Sequence, residues 1–143
     1  MIRDSAGSRY GTTNGGPANH GVLYKLDTAG QYTVLYTFTG GADGGSPQGG
    51  VIMDSAGNLC GTTQGGGNGA CPGGCAVVYN VDAAGHETVL YSFTGGADGA
   101  NPYAGVIADA AGNLYGTTPW GGMGGSSSVE YSGGGVVYKI GPR

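Results

Sequence analysis

An all-β propeller of tandem repeats is the fold class this sequence predicts, and three observations predict it. The first is a motif, Gly-Thr-Thr preceded by an aromatic residue or cysteine, at Tyr10 to Thr13, Cys60 to Thr63 and Tyr115 to Thr118. Aligned on it, IRDSAGSRYGTT from Ile2, IMDSAGNLCGTT from Ile52 and IADAAGNLYGTT from Ile107 recur at intervals of 50 and 55 residues, each followed later by VLYKLD, VVYNVD or VVYKIG. A second block, LYTFTGGADG from Leu35 and LYSFTGGADG from Leu90, differs only at Thr37 against Ser92. Likeness of this degree implies duplication of one unit. A period of this size belongs to solenoids and propellers, in which a single supersecondary unit buries its apolar face only against a neighbour. The second observation is that the apolar segments are short and alternating, bounded by Gly, Asn, Asp and Pro, with no helical periodicity. The third is that the 35 glycines recur at fixed places beside Val, Ile, Leu and Tyr, which is punctuation of strands rather than the aperiodic composition of a disordered chain.

Each unit reads as four strands. In the first, residues 1–40, they are expected at Met1 to Asp4, Arg9 to Thr13, Val22 to Asp27 and Tyr32 to Phe38. In the second, residues 41–95, Val51 to Asp54 and Leu59 to Thr63 flank the tight turn Ser-Ala-Gly-Asn. A long loop then leads to Ala76 to Asp82, and an Ala-Ala-Gly turn to Glu87 to Phe93. The third, residues 96–143, repeats the pattern through Val136 to Ile140 and has no counterpart of the TVLY segment, giving eleven strands in all. Four strands in an antiparallel meander make one propeller blade.

The segments AGVIADAAGNLYGTT, GVVYKI and TVLYSFTGGADGANP resemble the tandem repeats called GloVer, found in bacterial choice-of-anchor proteins, over nearly the whole chain. The resemblance implies a β-propeller repeat in proteins that are exported and held at the cell surface, and it brings no known reaction and no catalytic residues. Propellers close at about 4 to 8 blades, so three blades leave a ring open. The leading expectation is a homodimer in which two copies complete six blades. A longer array of which this is a part, and a head-to-tail filament grown through a heterologous interface that never closes, are the competing readings.

Composition narrows the partners. Only 10% of the residues are charged and the net charge is -4, so no basic stripe is available to neutralise phosphates, and nucleic acid is not an expected partner. No apolar run reaches the roughly 20 residues of a membrane span, and the opening MIRDSAGS lacks the apolar segment of a signal peptide, so this chain is expected to carry no export address of its own. Of the cysteines, Cys71 and Cys75 in CPGGC are near enough for a local disulfide, whereas Cys60 replaces a repeat tyrosine and reads as a small buried residue.

The meander sends the loops after strands two and four to one face and the tight turns to the other. The turns are near copies, but the loops after strand two differ: NGGPANHG, QGGGNGACPGGC and PWGGMGGSSSVEYSGGG. Binding residues gather on such loops when a rigid scaffold presents them. The third carries Trp120, Met123, Glu130 and Tyr131, and aromatic faces beside small polar groups suit a glycan or another hydroxyl-rich polymer. Asn19 and His20 on the first loop and Tyr103 beyond Pro102 share that face. The plain alternative for Trp120 is that it caps a neighbouring blade.

The expected function is therefore a non-catalytic binding or interaction scaffold; a glycan hydrolase or lyase and a structural filament are the alternatives. The weak acid candidates are Glu130, Asp98 and Asp43. Asp43 and Asp98 recur in identical TGGADG segments, and identical surroundings do not split two carboxyls into acid and base; their plainer reading is an Asp-Gly turn. His20 and His86 fall on opposite faces, so no metal site is expected, and no cofactor either.

Overall fold

The computed structural model describes residues 1–122 and 133–142. Within them the chain forms eleven strands and no helix: β1 Ile2–Arg3, β2 Arg9–Thr13, β3 Val22–Leu26, β4 Tyr32–Thr37, β5 Ile52–Met53, β6 Leu59–Thr62, β7 Val77–Val81, β8 Glu87–Ser92, β9 Ile107–Ala108, β10 Leu114–Thr118 and β11 Val136–Ile140. They make three antiparallel sheets in which sequence neighbours pair, β1-β2-β3-β4, β5-β6-β7-β8 and the three-stranded β9-β10-β11. The same irregularity recurs in both complete sheets, between Leu23 and Tyr24 and between Val78 and Tyr79. The first strand of each sheet has only two paired residues, shorter than the sequence pattern suggests, because Asp4, Asp54 and Asp109 leave the ladder for the turn: Ser8, Asn58 and Asn113 donate their backbone N–H to these carboxylates at 2.8, 2.9 and 2.9 Å.

The Gly-Thr-Thr motif has a physical reason at each position. Gly11, Gly61 and Gly116 lie directly opposite Tyr24, Tyr79 and Tyr138 on the adjacent strand. A Cβ at Gly11 or Gly61 would stand 2.7 or 2.6 Å from the phenol oxygen, so only glycine lets the tyrosine ring cross the neighbouring strand. The first threonine ties one sheet to the next: Thr12 Oγ1 donates to the carbonyl of Gly49 at 3.3 Å, and Thr62 Oγ1 to that of Ala104 at 2.8 Å. The second turns inward on its own loop, Thr63 Oγ1 donating to Gly65 O at 2.9 Å and Thr118 Oγ1 to Trp120 O at 2.8 Å.

Two apolar clusters fill the joints between consecutive sheets. The first gathers Tyr10, Leu23 and Phe38 of the first unit against Val51, Leu59, Val77, Tyr79 and Val81 of the second. The other sets Cys60, Val78 and Phe93 against Val106 and Leu114, with Tyr138 and Ile140 packed on them. Phe38 meets Tyr79 edge-on at 4.9 Å and Phe93 meets Tyr138 edge-on at 5.1 Å, so the two joints repeat one aromatic contact. Where the first strands of the second and third sheets converge, a Cβ on Gly49 or Gly105 would strike the other segment's backbone.

Candidate functional site

Isolated bridges pair Gly45 with Gly65 and Ala100 with Trp120, which brings the loop after each fourth strand against the loop after the next second strand, at one end of the molecule. A polar hollow of about 180 Å³ lies there, lined by Ser46, Gln64, Gly65, Pro72, Gly73, Gly74 and Asn101. Ser46 and Asn101 occupy equivalent places before Pro47 and Pro102, and both have left-handed backbone, with φ of 54° and 50°. Asn101 is the keystone. Its backbone N–H donates to Cys75 O at 3.0 Å and its Nδ2 to Gln64 O at 2.7 Å and Gly74 O at 3.3 Å. Its Oδ1 is buried with no partner, an acceptor left for a donor that the protein does not supply. One wall is braced by the Cys71–Cys75 disulfide, whose Cα atoms stand 5.0 Å apart.

The described residues among those singled out from sequence are in different states. Trp120 is half-buried and packs on the second apolar cluster. Asn19, His20 and Tyr103 are exposed; Asn19 sits in a left-handed turn with φ 59°, and the carbonyl of His20 accepts the N–H of Ser46 at 2.7 Å, placing its backbone beside the hollow. Met123, Glu130 and Tyr131 lie outside the described residues.

Asp43 and Asp98 hold identical turns. Tyr36 O–H donates to Asp43 Oδ2 at 3.0 Å and Thr39 N–H at 2.9 Å, with the Thr39 hydroxyl on Oδ1. Tyr91 and Thr94 do the same for Asp98, at 2.9, 2.9 and 2.5 Å. Burial works against the charged form of both, yet the donors from Thr39 and Tyr36, and from Thr94 and Tyr91, outweigh it and hold both carboxyls below the ordinary range.

Asp27 and Asp82 cap the turns between strands three and four in the same way, Ala29 and Gln31 donating to the first, Ala84 and His86 to the second. Every aspartate of the chain is thus engaged in a turn. At Asp109 the Asn113 side chain and backbone, with Tyr115 and Ala111, bring the pKa down to about 2. His86 Nδ1 lies 3.2 Å from Asp82 Oδ2, at the turn end, away from His20. Among the described residues no group of three or more His, Cys, Asp or Glu could hold a metal ion.

The residues that sequence reading passed over are Ser46, Gln64 and Asn101. For Ser46 and Asn101 the signal was the position between the repeated TGGADG block and its proline, on a backbone that glycine usually occupies, and for Gln64 it was the start of the loop that follows Gly-Thr-Thr.

Consecutive meanders joined by one repeated set of contacts define an all-β tandem-repeat protein. Its sequence matches the family described as Gloeobacter/Verrucomicrobia repeat over residues 1–143, and the chain belongs to that family. No curated protein matches it.

Proposed function

We propose that the three sheets are blades of a propeller, and that the chain works as a non-catalytic binding scaffold whose ring is completed by a second copy. The observation that carries this is the state of the two terminal sheet faces. Leu23 and Val78 are wholly buried in the joints, whereas Val137, their counterpart on the third sheet, is 79% exposed. Around it Ile107, Tyr115 and Lys139 reproduce Ile2, Tyr10 and Lys25, including the ammonium over the tyrosine ring, at 5.7 Å in one and 5.8 Å in the other. At the opposite end Met1 and Val34, counterparts of Val51 and Val89, are exposed as well. A face built like an internal joint and left open supports a second copy as its cover, and two copies give six blades. Light scattering is expected to give twice the 13.9 kDa of one chain; a monomer at every concentration, or a mass that grows without limit, would count against the closed ring.

On this reading the loop end is the binding face, and the hollow at Asn101 takes a hydroxyl group of a glycan or similar polymer, whose O–H would satisfy Asn101 Oδ1. Export to an oxidising compartment fits the Cys71–Cys75 bridge. A glycan array with wild type and Gln64→Ala tests the site. Binding weakened roughly tenfold by the variant supports it, and no binding by the wild type opposes it.

A further inference from the structure

The turn end of the molecule holds a larger space. A cavity of about 500 Å³ lies between the second and third sheets, with Asp54, Cys60, Asn80 and Leu90 on one wall and Ala108 and Leu114 on the other. The joint between the first and second sheets has the same construction with larger side chains. There Tyr10 stands in the place of Cys60, Lys25 in that of Asn80 and Met53 in that of Ala108. Tyr10 is 9% exposed, its O–H donates to Asp4 Oδ2 at 3.0 Å, and Lys25 Nζ stands 5.8 Å from its ring centroid. The third unit repeats this assembly, Tyr115 O–H donating to Asp109 Oδ2 at 2.9 Å.

The second unit keeps the aspartate and loses the ring. Cys60 and Asn80 replace tyrosine and lysine together, and the Asn80 amide turns to Cys60 Sγ at 3.3 Å. Burial pushes the Cys60 thiol up, so it stays a neutral, apolar contact. Asp54 Oδ2 accepts Asn58 Nδ2 at 2.9 Å. The same oxygen of Asp109 accepts both Asn113 Nδ2, at 2.7 Å, and a phenol, so Asp54 has room for a second donor of that kind. Gly141 and Pro142, both exposed, complete the lining on the far wall.

We infer that this cavity binds a small planar phenol, its ring lying on Cys60, Asn80 and Leu90 in the place of the absent tyrosine and its hydroxyl donating to Asp54 Oδ2. The site is separate from the loop hollow and does not depend on ring closure.

The test uses p-cresol, the tyrosine side chain as a free molecule, titrated into the whole chain and followed by amide resonances and thermal melting. Shifts confined to the segments around residues 54–60, 80 and 108–114, with a melting temperature that rises with ligand, are expected. Toluene, lacking the hydroxyl, should bind at least about tenfold more weakly. Cys60→Tyr should abolish binding by restoring the ring. Ala108→Met, which fills the space from the other wall with the residue found at the first joint, should do the same should the first variant misfold. Equal binding of toluene, binding that survives Ala108→Met, or shifts scattered elsewhere would overturn the assignment.

Discussion

Among single side chains Glu87 departs most sharply from the repeat, standing at the start of β8 where the first unit has Tyr32. Its Oε1 is buried without a hydrogen bond, and Tyr36, Tyr79 and Asp43 are its electrostatic neighbours. Burial, then the charge of Asp43, push its pKa up to about 7. A carboxyl raised in the folded state binds its proton there more tightly than in the unfolded chain, so folding stability falls as pH rises from the ordinary glutamate range to about 7. The turn aspartates act in the opposite sense: Asp109, lowered to about 2, adds stability that is present above the ordinary aspartate range and lost as pH falls towards that value. Glu87→Gln is therefore expected to raise the melting temperature by roughly a few degrees at pH 8 and to leave it unchanged at pH 4. Melting curves across that interval check it, and an equal gain at both ends would mean that packing rather than charge is responsible.

Strands and turns were the most legible part of the sequence, because period-two apolar segments bounded by Gly, Asn and Asp report directly on local backbone. Their ends were less so: the expected first strands ran through Asp4 and Asp54, which instead serve the turn. What Gly-Thr-Thr does could not be read at all, since Gly11 meets Tyr24 only through strand register and Thr62 meets Ala104 across two units. The hollow at Asn101 escaped notice because backbone carbonyls and glycines from two loops make it. The cavity at Cys60 escaped because it is a missing side chain, although the tyrosine-to-cysteine change itself was plain. Trp120 was open between ligand contact and packing, and only coordinates place its ring on the second cluster. The joint itself is testable. Thr62→Val keeps the shape and removes the bond to Ala104 O, leaving that carbonyl short of a donor, which is expected to cost about 1 kcal/mol in chemical denaturation. Thr117, the same position on the third sheet, is exposed, so Thr117→Val should leave the stability of a single chain unchanged.

For the molecule entire, the question is whether its two open faces suit one another. The outgoing face of the third sheet copies the first joint in Ile107, Tyr115, Val137 and Lys139. The incoming face of the first sheet keeps Tyr24, Leu26 and Val34 where the second has Tyr79, Val81 and Val89. It differs in Arg9 and Arg3, which stand where Leu59 and Met53 do and are exposed. A joint between copies would therefore be more polar than those within the chain, and weaker, so dimerisation should depend on concentration over an accessible range. Val137 is the side chain to change, because it is 79% exposed in one chain and occupies a position that is fully buried at both internal joints. Val137→Asp would place an unpaired carboxylate in the dimer interface without disturbing the isolated fold. We expect the variant to keep the wild-type β-sheet circular dichroism and melting of a single chain while its dimer dissociation constant rises at least about tenfold, read by sedimentation or light scattering. A variant that still associates like the wild type would show that copies meet through some other surface, and six-bladed closure through this face would be lost as an account of the exposed Val137.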